Sequence, residues 1–190
     1  MNKIIWPLLL CAVLCGCGGG ETGNAVPEQY CTLETARLEA EVTSHTSTDS
    51  RTFTLLGSYD ADGDAVTTVT APGELAGLTA VVSGTDMTLS SEGLQLPAGA
   101  SLDICPANCL PYLLRALADG YVLEQSSEAL DDTPCLRLAL DTTAPGGGKV
   151  LCAVWLDAEG LFPRYAEFSR NEQVVLTVKL LTFTCTTSEG

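Results

Sequence analysis

Basic residues are scarce in this chain: nine lysines and arginines stand against 24 aspartates and glutamates, with a single histidine, for a formal net charge of −15. Attraction to nucleic acid or to an anionic headgroup layer needs clustered basic side chains, so both are excluded as charge-driven partners. One histidine, His45, leaves no imidazole pair for a metal centre. It lies in a polar run with Ser44, Thr46 and Ser47, as an exposed strand-end residue would, and no sequence neighbour makes it a general base for a serine. Long apolar runs are missing too. The longest is Ile4 to Leu14, eleven residues, where a membrane-spanning helix needs roughly 20.

What is present begins with that short run. Lys3 supplies a basic start, the apolar stretch follows, and it ends in Leu14-Cys15-Gly16-Cys17, the layout of an export signal. The ending resembles the lipobox of bacterial lipoproteins, with a leucine three before and a small residue directly before the modified cysteine. Cys11 follows Leu10 and Cys15 follows Leu14, so only Cys17 has the small preceding residue that cleavage after Gly16 requires. The resemblance implies lipid on Cys17, and each buried CH₂ of an acyl chain adds about 0.8 kcal/mol of membrane attachment. The resulting layout is a signal peptide over 1–16, a lipidated cysteine and flexible tether over 17–30, and a single domain over 31–187. The expected location is extracytoplasmic, anchored to a bacterial membrane. Loss of Lys3 makes the mature chain one charge more negative, which suits a domain standing off the bilayer.

Beyond Cys17 six cysteines remain: Cys31, Cys105, Cys109, Cys135, Cys152 and Cys185. An even number in an exported domain points to disulfides, with buried free thiols as the alternative. A metal site is disfavoured because only Cys105 and Cys109 are close in sequence.

From Cys31 onward the pattern is mainly β. Ala36, Leu38, Ala40 and Val42 alternate with Arg37, Glu39, Glu41 and Thr43, the period of a half-buried strand. Phe53 to Tyr59 and Ala65 to Ala71 flank an Asp-Gly turn at Asp60 to Asp64, and Leu78 to Ser83 and Met87 to Ser91 form a second hairpin. The alternation stops near Ser101 to Asp119. There Leu110, Leu113, Leu114 and Leu117 fall on one face of a helix, with Asn108 as its cap, Pro111 in its first turn and Gly120 as its stop. Strands resume at Tyr121 and continue to Cys185, so about ten strands joined by short turns predict an antiparallel meander with one helical insertion.

Several motifs fail on inspection. Asp60, Asp62 and Asp64 open like a calcium loop, but Gly63 comes too early and position twelve is Ala71, not Glu. Gly146-Gly147-Gly148-Lys149 lacks the leading glycine and trailing Ser or Thr of a phosphate loop. Asp157, Glu159 and Glu167 carry nothing that fixes a carboxylate separation. No nucleophile and base are paired, so no enzyme activity and no cofactor are expected.

The order of parts then resembles the LolA/LolB-like lipoprotein fold: an acidic first strand, hairpins around Pro72, Gly77 and Leu78, one helical insertion, and Trp155-Leu156-Asp157 followed by Pro163. The nearest likeness is to membrane-anchored germination lipoproteins of the GerS type. The resemblance spans about residues 31 to 185 and implies a curved, incompletely closed barrel around an apolar groove, with helical structure packed at its mouth. It implies a lipid acyl chain or other apolar ligand, or docking to an envelope protein such as a cell-wall amidase. Leu110, Leu113, Leu114 and Leu117 are then lid candidates. Trp155, Phe162, Tyr165 and Phe168 are groove-lining candidates, with ordinary core packing as the competing use of these aromatics. Because the chain keeps its own anchor, a tethered acceptor or docking module fits better than a soluble carrier.

The cysteines carry one more expectation. If the glycine turn pairs Leu138 with Cys152, then Cys135 points to the opposite face, which disfavours a direct bridge to Cys152. Cys31 opens the first strand and Cys185 ends the last, so a Cys31–Cys185 bridge is the leading expectation, and Cys105–Cys109 is a second.

Overall fold

The computed structural model describes residues 22–100, 103–144 and 147–188. Gly16 and Cys17 lie outside the described residues. The chain starts with helix α1 (Thr22–Cys31). Strands β1 (Leu33–His45), β2 (Ser50–Asp60), β3 (Ala65–Ala71), β4 (Thr79–Ser83), β5 (Asp86–Ser91) and β6 (Leu94–Ala100) follow. Helix α2 (Cys109–Asp119) precedes β7 (Tyr121–Leu130), β8 (Thr133–Thr143), β9 (Lys149–Asp157), β10 (Pro163–Arg170) and β11 (Gln173–Thr187). The strands make one 11-stranded antiparallel sheet in the order β6-β5-β4-β3-β2-β1-β11-β10-β9-β8-β7. It is two meanders joined where the first strand pairs with the last, and it stays open between β6 and β7.

That order explains where α2 sits. β6 and β7 are consecutive in the chain but occupy opposite edges of the sheet, so their connection must cross one face. α2 carries the crossing, and its apolar stripe faces the strands. It touches both β2 and β8, which are five strand steps apart. Five steps span about 24 Å in a flat sheet, against about 10–12 Å for a helix with its side chains. The sheet must therefore curl around the helix. Close approach is helped by Gly57 on β2, where a Cβ would come within 3.0 Å of Leu110 Cδ1 and Leu38 Cδ1.

The predicted alternation on the first strand is present: Ala36, Leu38, Ala40 and Val42 are buried. They join Leu136, Leu138 and Leu140 of β8, Val150, Cys152, Val154 and Leu156 of β9, and Leu176 and Val178 of β11 in one core with α2. The two early hairpins lie where the turn signals put them.

Four expectations are corrected. The segment read as flexible tether ends in α1, a second helix, because Val26 and Tyr30 sit one turn apart and are both buried. A further strand, β6, follows the second hairpin. Asn108 occupies the N-cap position of α2, but its side chain turns back into the preceding loop instead of capping. The β8–β9 register pairs Leu138 with Val154 and Leu140 with Cys152, two residues from the expected pairing. A two-residue shift preserves the faces. Cys152 points into the core, and Cys135 is buried outside that core cluster.

Gly120 ends α2 for a steric reason and not by a left-handed turn. Its φ is −66°, and a Cβ there would meet the Ala116 carbonyl oxygen at 2.3 Å.

Candidate functional site

The face of the sheet that holds the helices is filled unevenly. Over β8–β11 it is covered by α2. Leu110, Leu113, Leu114 and Leu117 are all fully buried, so the expected lid is a plug inside the curl. Phe168, a groove candidate, is wholly buried and meets Tyr112 edge to face at a centroid distance of 6.1 Å. The Tyr112 hydroxyl donates to the Thr143 carbonyl, and burial raises its pKa. Phe168 serves core packing. Trp155 lies on the other face, since the inward positions of β9 are Val150, Cys152, Val154 and Leu156. Its Nε1 donates to Glu128 Oε2 at 3.0 Å, with the Arg137 guanidinium 5.3 Å from its ring centre and Tyr165 alongside. It lines no groove.

Over β2–β5 the same face is only partly covered. Ala65, Thr67 and Val69 alternate inward on β3, with Thr67 opposite Ala80 and Ala65 opposite Val82 on β4. Ala80 in turn faces Leu89 on β5. Two cavities lie along this strip. One, of about 340 Å³, is lined by Ala65, Val82, Tyr30, Leu33 and the α2 residues Pro111, Leu114 and Ala118, and also by the charged Asp60, Arg115 and Asp119. The other, of about 160 Å³, is lined by Phe53, Leu55, Thr67, Val69, Ala80 and Leu89, and closed by Cys105, Pro106 and Ala107. Its lining is apolar apart from Thr67, whose buried Oγ1 has no hydrogen-bond partner.

The loop before α2 separates the two cavities, and Asn108 holds it. Asn108 Oδ1 accepts from the Cys105 N–H and Nδ2 donates to the Asp103 carbonyl, both at 2.8 Å. Arg170 Nη2 pairs with Asp103 Oδ1 at 2.6 Å, tying the loop to β10. Sequence reasoning did not single out this strip. The signal was the short alternation Ala65, Thr67, Val69, too brief to distinguish a groove from a core.

The remaining candidates occupy ordinary positions. His45 closes β1, with Nδ1 at 3.0 Å from Ser50 Oγ and Nε2 at 3.3 Å from Thr177 Oγ1. Asp60 Oδ1 accepts from the Asp62 N–H at 3.1 Å in an exposed turn. Asp157 Oδ1 accepts from the Gly160 and Glu159 N–H groups, and these bonds hold its pKa below the usual carboxylate value.

The expected disulfides are not formed: all six described cysteines are free. Cys31 ends a helix instead of opening a strand, and its thiol donates back to the Glu28 carbonyl. Cys185 lies opposite Ala36, further along β1. Cys109 is buried at the start of α2 with its Sγ 3.5 Å from the Pro106 oxygen, and burial pushes its thiol and that of Cys152 well up.

These features define a class: an open antiparallel sheet curled around a helical plug, with a partly covered apolar strip on its inner face. No protein-family model matches the chain, and comparison with curated proteins finds no match. Among solved structures, the chain is similar to an uncharacterised conserved protein from Thermus thermophilus. The identity is 10%, the match covers 89% of this chain and 88% of that one, and the TM-score is 0.52, so the likeness is one of fold. A LolA superfamily protein from Nitrosomonas europaea matches at 12% identity over 87% of this chain and 92% of that one, TM-score 0.47. A structure of the CwlD amidase from Clostridioides difficile in complex with the GerS lipoprotein matches at 18% identity over 94% and 96%, TM-score 0.37.

Proposed function

We propose that this chain is a membrane-anchored, non-enzymatic envelope lipoprotein that holds an apolar group, such as a lipid acyl chain, on the inner face of β2–β5. The observation that carries the reading is the inner face of β2–β5, where an apolar cavity of about 160 Å³ lies next to one of about 340 Å³ that Asp60, Arg115 and Asp119 also line, beside a fully packed plug. The larger cavity lies within the roughly 300–1,000 Å³ range of small-ligand sites. The smaller has the size of an engineered apolar cavity of about 150 Å³ that stays dry and accepts benzene. The lipobox-like Leu14-Cys15-Gly16-Cys17 supports cleavage after Gly16 and lipid on Cys17. No helix among the described residues is long and apolar enough to cross a membrane.

A second reading, a docking or regulatory partner of an envelope protein such as a cell-wall amidase, is favoured by apolar side chains exposed at the sheet edges. Leu94 is 78% and Tyr121 73% exposed.

Solvent extraction of the purified mature chain followed by mass spectrometry tests the first reading. The expected result is a near-stoichiometric lipid, besides the anchor, that disappears in Val82→Trp while circular dichroism stays unchanged. No extractable lipid, or one retained in Val82→Trp, would favour docking. For the anchor, Cys17→Ala is expected to release the domain from the membrane fraction.

A further inference from the structure

β11 is longer than its neighbour. Its pairing with β10 ends at Lys179 opposite Tyr165, whereas its pairing with β1 continues to Thr187 opposite Leu33. Leu181 to Thr187 therefore present one row of backbone N–H and C=O groups, in the middle of the sheet, to no strand among the described residues. The first part of the gap, as far as Phe183, opens onto a cleft of about 480 Å³ that Asp131, Asp157, Arg164 and Lys179 also line. Phe162 and Leu181, 41% and 45% exposed, stand at it, and Phe183 packs against Phe162 at a ring-centre distance of 5.6 Å.

The outer edges of the sheet are blunted against strand addition, and this inner one is not. β6 carries Pro97 and a register shift, and β7 carries Glu124, Glu128 and a shift after Val122. Proline, charge and bulges are the usual protections of an edge. The stretch Leu181-Thr182-Phe183-Thr184-Cys185-Thr186-Thr187 has no charge and no proline.

We propose that the unpaired half of β11 is a docking site for one extended segment of a partner protein, added as a strand in line with β10. Only an extended backbone satisfies a row of alternating donors and acceptors, which is recognition by strand addition. Side chains alternate across a strand, so at the start of the row every second residue of the segment faces the cleft, where Phe162, Leu181 and Phe183 offer apolar contact. Charge selects against a second copy of this chain, because molecules with a net charge of −15 repel. It favours a neutral or basic segment, which the acidic surface attracts.

Hydrogen–deuterium exchange on the mature chain in detergent micelles tests this, with the synthetic peptide Lys-Val-Thr-Val-Thr-Val-Thr-Val-Thr-Lys as probe. Saturating peptide should slow exchange of the Leu181–Thr187 amides, and Leu181→Glu should weaken binding about tenfold or more, with the thermal midpoint unchanged. A peptide with proline at the two central valines should give no protection. Protection at β6 or β7 instead, none anywhere, or equal protection by the proline peptide would overturn the proposal. So would protection of Leu181–Thr187 that rises with protein concentration alone, the mark of a second copy.

Discussion

Tyr30 of α1 donates its hydroxyl to the Leu161 carbonyl, 131 residues away in sequence, at 3.0 Å. Gln29 makes a parallel bond to the Gly160 carbonyl at 3.1 Å. Together they clamp α1 onto the β9–β10 loop. Tyr30 is buried, and burial raises its pKa, so the hydroxyl remains a donor throughout the physiological range. Tyr30→Phe keeps the ring and leaves the Leu161 oxygen unpaired. The expected loss is about 1–2 kcal/mol, read as a lower urea midpoint at unchanged slope. A midpoint equal to wild type would mean the clamp contributes nothing.

Gly57 and Leu110 set the distance between α2 and β2. Gly57→Ala places a methyl against two leucine side chains, and overpacking of this kind costs about 1–3 kcal/mol. Leu110→Ala alone should cost about 2–5 kcal/mol by leaving a cavity. The double substitution supplies a methyl where space has been opened, so its cost should fall below the sum of the two. Strict additivity in a denaturation cycle would show that the two residues do not share the contact.

The strands that position the site were readable wherever one face is buried and the other is wet. Ala36 to Val42 and Leu136 to Leu140 alternate over enough residues to fix both strand and face. β6 was missed because Pro97 and Gly99 interrupt its pattern. α1 was missed because a polar segment containing Pro27 buries few side chains, and Val26 and Tyr30 alone make a weak helical period. The leucine stripe of α2 disclosed a helix but not its place. Whether such a stripe covers a groove or fills it depends on β6 and β7 lying at opposite edges, a topological fact without a local signature. The expected Cys31–Cys185 pairing rests on Cys31 opening a strand, whereas Cys31 ends α1.

Thiol reactivity should follow burial. Cys31 is exposed, Cys105 and Cys185 are half-buried, and Cys109, Cys135 and Cys152 are buried. Under native conditions iodoacetamide should modify Cys31 first and leave the three buried thiols intact until denaturant is added, because only an accessible thiolate reacts. Recovery of a Cys31–Cys185 or Cys105–Cys109 peptide from the envelope-purified chain would contradict the free thiols described above.

Stability should decline in alkali. Burial raises the pKa of Cys109, Cys152 and Tyr30 in the folded chain, while in the unfolded chain they ionise near their ordinary values, about 8.5 for cysteine and 10 for tyrosine. A raised folded pKa means that the folded state holds the proton more tightly. The corresponding stability is fully present below the unfolded pKa and is lost as pH rises towards the folded one. Each such group contributes a slope of up to about 1.4 kcal/mol per pH unit in that window. Cys152→Ala removes one of these protons and leaves a small apolar side chain, so its stability should start lower at pH 7 and fall less steeply between pH 9 and 11. Urea midpoints measured across that range decide it: parallel curves for wild type and Cys152→Ala would mean that Cys152 ionises as readily in the folded chain as in the unfolded one.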